Sequence, residues 1–188
     1  YISSTKETDN FQNFKTVFES EALESYVLCE FNDPLYIVFS SGTTGKPKCI
    51  THSIGGVLIQ HAKEHLLHIN LSEKQKIFYF TTCGWMMWNW LVGSLFCRSS
   101  IVLYEGSPFY PNPEHLWEIA EKSEVCVFGT SAKYIDALSK SKVIPKKHFQ
   151  LSSLRTTCST GSPLSPDSYD YILNNIKSDI QIASISGG

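Results

Sequence analysis

Along most of the chain, short apolar runs alternate with polar turns. Leu35-Tyr36-Ile37-Val38-Phe39, bounded upstream by Asp33-Pro34, reads as a buried strand. Residues 77–80, 101–104, 125–128, 154–158 and 180–185 show the same kind of run. Helical spacing lies between them. Over 56–69 it sets Leu58, Ala62 or Ile59, His65 or Leu66, and Ile69 along one side, with shorter versions at 116–120, 134–138 and 169–176. Pro166 directly after Ser165 predicts a helix start capped by the serine. Residues 1–33 are a polar, then acidic lead-in with a short helix expected near 11–26. From Pro34 to Gly188 the alternation predicts an α/β fold, a mostly parallel sheet with helices on both faces. Ligands in such sheets bind beyond the carboxyl ends of strands. The loops after Phe39, Phe80 and Cys158 fall at such ends and are expected to share one cleft.

The loop after Phe39 is Ser40-Ser41-Gly42-Thr43-Thr44-Gly45-Lys46-Pro47-Lys48. Glycines let the backbone turn its N–H groups inward, hydroxyls add donors, and lysines add charge; together they suit phosphate. The spacing is not that of a P-loop, which has four residues between its glycines and Ser or Thr after the lysine. A second segment, Thr81-Thr82-Cys83-Gly84-Trp85-Met86-Met87-Trp88-Asn89-Trp90, reads either as a core helix or as rigid and adaptable walls for a small organic ligand. A third, Ser159-Thr160-Gly161-Ser162-Pro163-Leu164-Ser165-Pro166, is a stiff turn with one permissive glycine, and many loops before helices share that description. The fourth, Ser184-Ile185-Ser186-Gly187-Gly188, again brings glycine to a strand end.

Composition narrows the setting. With 188 residues, 42% hydrophobic and 18% charged, the chain supports one domain with a real core rather than disorder. An aromatic share of 13% suggests apolar pockets or large interfaces. A net charge of −2 gives no global field for nucleic acid. The lysines at 140, 142, 146 and 147 read as a solvated loop, or as a contact for a phosphorylated cofactor tail. Six cysteines without a C-x-x-C pair, several in apolar runs, suit a reducing, cytoplasmic compartment. No stretch approaches the roughly 20 apolar residues of a membrane span.

In order and spacing the four motifs resemble the acyl-adenylate-forming superfamily of acyl-CoA synthetases and luciferases, over about residues 34–188. The first loop matches its phosphate-binding loop up to Cys49, where that pattern continues with glycine. Gly84 to Asn89, Gly129-Thr130-Ser131-Ala132, Ser159 to Leu164 and Ser184 to Gly188 are most similar to the acetoacetate-activating members; acetate-activating ones carry Gly-Glu-Pro in place of Gly161-Ser162-Pro163. The resemblance implies two steps. ATP, with Mg2+, and acetoacetate give an acyl-adenylate and pyrophosphate, and coenzyme A then displaces AMP. It implies ATP contacts at Ser41, Gly42, Thr43, Thr44, Gly45, Lys46 and Lys48, and an adenine lining at Gly161, Ser162 and Pro163. It implies an acyl pocket at Trp85, Met86, Met87, Thr160 and Gly187, where a glycine in place of the acetate enzymes' tryptophan leaves room for a longer acid. The metal-binding acidic residue, the ribose aspartate, and the C-terminal domain with its catalytic lysine have no counterpart here. No catalytic residue or metal ligand is therefore expected within the chain, which reads as a partial ATP- and acyl-binding subdomain, inactive by itself.

Two other readings compete. His61-Ala62-Lys63-Glu64-His65 fits H-x-x-E-H, a zinc peptidase pattern with Glu114 or Glu121 as third ligand; the plainer alternative is a helix with surface histidines. The first loop also suits a non-catalytic nucleotide-binding module, although such a module has no need of the Trp/Met segment.

Overall fold

The structure is a computed structural model that describes residues 14–22, 24–40 and 45–186. The chain separates into two units, 1–30 and 31–188. Among the described residues of the first, one helix forms, α1 (Phe14–Phe18), shorter than the sequence pattern predicts.

The second unit begins with a hairpin. Strand β1 (Pro34–Phe39) pairs antiparallel with β2 (Cys49–Ser53), with Phe39 opposite Cys49, Ile37 opposite Thr51 and Tyr36 opposite His52. This corrects the expectation of a buried parallel strand. Ile37 is 63% exposed and Phe39 67% exposed. An apolar run fits a core strand and a hairpin strand equally. The partner here is local and polar, Cys49-Ile50-Thr51-His52-Ser53, and a loop of this length closes antiparallel strands without a crossover.

The expected parallel sheet forms from the remaining strands: β3 (Lys76–Tyr79), β4 (Ser100–Val102), β5 (Val127–Ser131), β6 (Thr156–Thr160) and β7 (Gln181–Ser184), in the order β4-β3-β5-β6-β7. Chain order reverses after β4, which makes the gap between β3 and β5 a topological switch point. Helices cover both faces. On one lie α2 (Ile54–Ala62), continued by a π-helical turn over Lys63–His68, and α3 (Met86–Gly93). On the other lie α4 (His115–Lys122), α5 (Ala132–Lys140) and α6 (Pro166–Tyr171), the last continued by a π-helical turn over Ile172–Ile176. Side chains alternate accordingly. Phe78 and Phe128 pack with Leu116, Trp117, Ile135 and Leu138. Ile77, Tyr79 and Val127 pack with Met87, Trp90 and Leu91. Helix starts are capped by serines: the hydroxyls of Ser53, Ser131 and Ser165 accept from the amides of Gly56, Tyr134 and Ser168.

Gly129 shows why a strand interior carries glycine here. The Tyr79 ring occupies the space where a Cβ would sit, and the Tyr79 hydroxyl donates to the Thr130 carbonyl at 2.9 Å. Burial holds the Tyr79 phenol well above its ordinary pKa, so the donor stays protonated. Gly129→Ala is expected to cost about 1–3 kcal/mol by forcing that ring aside. Urea unfolding of the two proteins checks this; equal midpoints would contradict it.

Candidate functional site

Three of the four motif segments leave the carboxyl ends of parallel strands and meet. Trp85 follows β3 and precedes α3, its ring edge-on to Tyr79 at 6.0 Å between centroids. Gly161 follows β6 at φ 91°, a left-handed conformation that favours glycine. A Cβ built there lies 3.7 Å from the Trp85 ring, so the second and third motifs are in contact. Thr160 Oγ1 donates to the Ile185 carbonyl at 2.8 Å, and Ile185 N donates to the Ser159 carbonyl at 2.7 Å, which ties the fourth motif to the third.

These contacts frame a cavity of about 250 Å³. One wall is Trp85, Met86, Met87 and Trp90; its end is Thr160, Gly161, Ile185 and Ser186. Thus Trp85, Met86, Met87, Thr160 and Gly161 share one space, mainly apolar with a few polar groups, as small-ligand sites are. Ser162 and Pro163 follow, exposed, on the way to α6. Ser41, Gly42, Thr43, Thr44 and Gly187 lie outside the described residues. Gly45, Lys46 and Lys48 are exposed in the hairpin loop, whose base is closed by Ser40 N donating to the Lys48 carbonyl at 3.0 Å. The first loop therefore does not leave a parallel strand, as the sequence pattern suggested. Its hairpin meets the cavity through His52 on β2, three residues or about 10 Å of extended chain beyond Cys49.

The remaining wall was not foreseen. It is the inner face of α2: Gly56, Val57, Gln60, His61 and, in the turn that follows, Glu64. The buried stripe runs Val57, His61, His65 and Ile69, whereas Leu58, Ile59, Leu66 and Leu67 face outward; of the predicted side, His65 and Ile69 are buried and Leu58 and Ile59 are not. Partners decide this orientation. The His61 ring occupies the space a side chain at Gly93 would take. His65 is 0% exposed, its ring 4.3 Å from that of Trp90, and its Nε2 donates to the Trp90 carbonyl at 3.0 Å. Glu64 accepts from Trp90 Nε1 and Gln60 Nε2, both at 2.6 Å. The i, i+4 histidine spacing is visible in the sequence, but its glycine partner in α3 is not.

The histidines are therefore not surface groups, nor are they assembled for zinc. Glu114 accepts from His148 at 2.7 Å, and Glu121 accepts from Leu151 N at 2.6 Å; the cavity wall includes neither glutamate. Among the described residues no three His, Cys, Asp or Glu side chains converge on a metal position. Among them, too, no helix is long and apolar enough to cross a membrane, and all six cysteines are free thiols.

Burial pulls the His65 pKa down to about 4, outweighing the opposing pull of its bond to the Trp90 carbonyl; it also lowers that of His61. Between pH 6.5 and 4 the unfolded chain takes up a proton at His65 that the folded one refuses. Stability from this group is thus complete above about pH 6.5 and declines as pH falls, by about 3 kcal/mol in all. Urea unfolding from pH 7.5 to 5 is expected to show that decline, and His65→Gln a shallower one. Parallel slopes in the two proteins would rule out His65 as the cause.

Comparison with known proteins places the chain. The family described as AMP-binding enzyme matches residues 3–181. An acetoacetyl-coenzyme A synthetase of Rhizobium meliloti (strain 1021) is 56% identical over 158 residues, covering 84% of this chain and 24% of that protein. An acetoacetyl-CoA synthetase of Danio rerio is 43% identical over 199 residues, covering 100% and 30%. This chain thus spans less than a third of the length of these relatives. The solved structure of acetoacetyl-CoA synthetase from Streptomyces lividans superposes with a TM-score of 0.89 at 40% identity, over 98% of this chain and 29% of that one. A luciferase-like enzyme of Zophobas morio shares the fold at a TM-score of 0.63 and 24% identity, over 82% of this chain. A cavity built by three strand-end motifs and a family match over most of the length agree: this chain belongs to the AMP-binding enzymes.

Proposed function

We propose that the chain is the ATP- and acid-binding part, residues 34–188, of a cytoplasmic ligase that activates acetoacetate and passes it to coenzyme A. The observation that carries this reading is the convergence of Trp85, Met86, Met87, Thr160 and Gly161 on one small cavity at the strand ends. The names of its relatives supply the substrate. In the first step an acetoacetate oxygen attacks the α-phosphorus of the Mg2+ complex of ATP, and the bond to pyrophosphate breaks. In the second the coenzyme A thiol attacks the acyl carbon, and AMP leaves with the bonding pair. Residues 41–46 and Lys48 would hold the β and γ phosphates, where charge accumulates as pyrophosphate departs. Gly161, Ser162 and Pro163 would line the adenine, and Gly187 would leave the pocket deep enough for four carbons.

Pyrophosphate exchange into ATP tests the reading. The full-length protein is expected to show exchange that depends on acetoacetate, and residues 1–188 alone are expected to show none. Exchange indifferent to acetoacetate would overturn the substrate, and robust exchange by the short chain would overturn the division of labour.

A further inference from the structure

Most polar side chains around the cavity are already satisfied. Gln60 and Trp90 both donate to Glu64, and Thr160 donates to Ile185. The histidines of the α2 side differ. His61 is 6% exposed and lines the cavity, and its ring forms no hydrogen bond among the described residues. His52 lies near enough to influence it, and its own Nε2 is buried and unpaired. A donor that lines a cavity and meets no protein acceptor is available to a ligand bound there.

Resting on the proposed acid-activating function, we infer that His61 donates a hydrogen bond to the 3-oxo oxygen of the bound acid and so selects 3-oxo acids over their non-oxo analogues. Three features carry this. The acid must present its carboxylate to the nucleotide, assigned to the Gly161 end, so its far end points toward α2. The Glu64 carboxylate on that side disfavours a second negative charge there but accommodates a neutral carbonyl. Burial keeps the His61 imidazole neutral, with one N–H to give to an oxygen that only accepts. A site built to pair with an oxygen discriminates strongly against a substrate that lacks it, because its own donor is then left unpaired.

The test compares acetoacetate with 3-methylbut-3-enoate, the same shape with a methylene in place of the 3-oxo oxygen, by pyrophosphate exchange in the full-length protein. The wild type is expected to favour acetoacetate in kcat/KM by at least about tenfold. His61→Phe is expected to shrink that ratio to about threefold or less, and His61→Asn, which keeps a donor, to hold part of it. Equal use of the two acids by the wild type, or an undiminished ratio in folded His61→Phe, would overturn the proposal. Should His61→Phe fail to fold, the wild-type ratio and His61→Asn still decide. Failure of the underlying functional reading looks different: neither acid supports exchange, and the role of His61 falls with it.

Discussion

Trp117→Ala is expected to destabilise the α/β unit by about 3–5 kcal/mol. The indole is 0% exposed and stacks on Phe128 at 4.2 Å between centroids, with Tyr134 6.5 Å away. It joins α4, β5 and α5, the elements that close the face of the sheet opposite the cavity. The surrounding side chains come from separate elements held by strand register, so they cannot collapse into the space. The cavity penalty therefore adds to the lost burial. Against a typical total of 5–15 kcal/mol, that is a large fraction. At an m-value of about 2 kcal/mol/M the urea midpoint should fall by roughly 2 M. Trp117→Phe, which keeps a ring against Phe128, should lose less than half as much. An alanine variant with an unshifted midpoint would mean that this face contributes little.

The sheet was legible because its signal is local. Ile77-Phe78-Tyr79-Phe80 and Val125-Cys126-Val127-Phe128 are apolar on both faces, as strands covered on both sides must be. Ser165-Pro166 also read correctly as a capped helix start, since a cap needs only its neighbours. The errors fell where a distant partner decides. Leu35 to Phe39 has the composition of a core strand, but it pairs with the adjacent β2 in a hairpin that leaves apolar residues exposed. In α2, helical spacing set Leu58 or Ile59 inward together with His65 or Leu66, yet Val57 and His61 took the inner positions beside His65. Gly93 leaves a hollow for one ring and Trp90 gives the other a carbonyl and a tilted aromatic neighbour, and neither is visible within the helix's own sequence. For the same reason Trp85, Met86 and Met87 could be read as a ligand wall, and Thr160 only through the family resemblance, whereas the wall facing them could not. The Trp/Met segment announces itself by residue type, and the α2 wall only by what it packs against.

Lys46→Ala is expected to lower kcat/KM for ATP in the full-length protein by about 10²–10³-fold, the usual consequence of removing a group aimed at developing charge. Lys46 is exposed in the hairpin loop, so stability should change by no more than about 0.5 kcal/mol. The chain has a net charge of −2 and supplies no diffuse positive field, so under the proposed function attraction for the triphosphate would come from local groups. The backbone of Lys48 is engaged at the loop base through its carbonyl, whereas Lys46 stands beyond that closure. A charge contact of this kind weakens with salt. The loss should therefore be largest at low ionic strength and smaller for Lys46→Arg, which keeps the charge with a different donor geometry. If Lys46→Ala binds and turns over ATP normally at low salt, the loop after β1 does not hold the phosphates. The nucleotide would then have to be held from the Gly161 side alone, and the hairpin would serve the cavity only through His52.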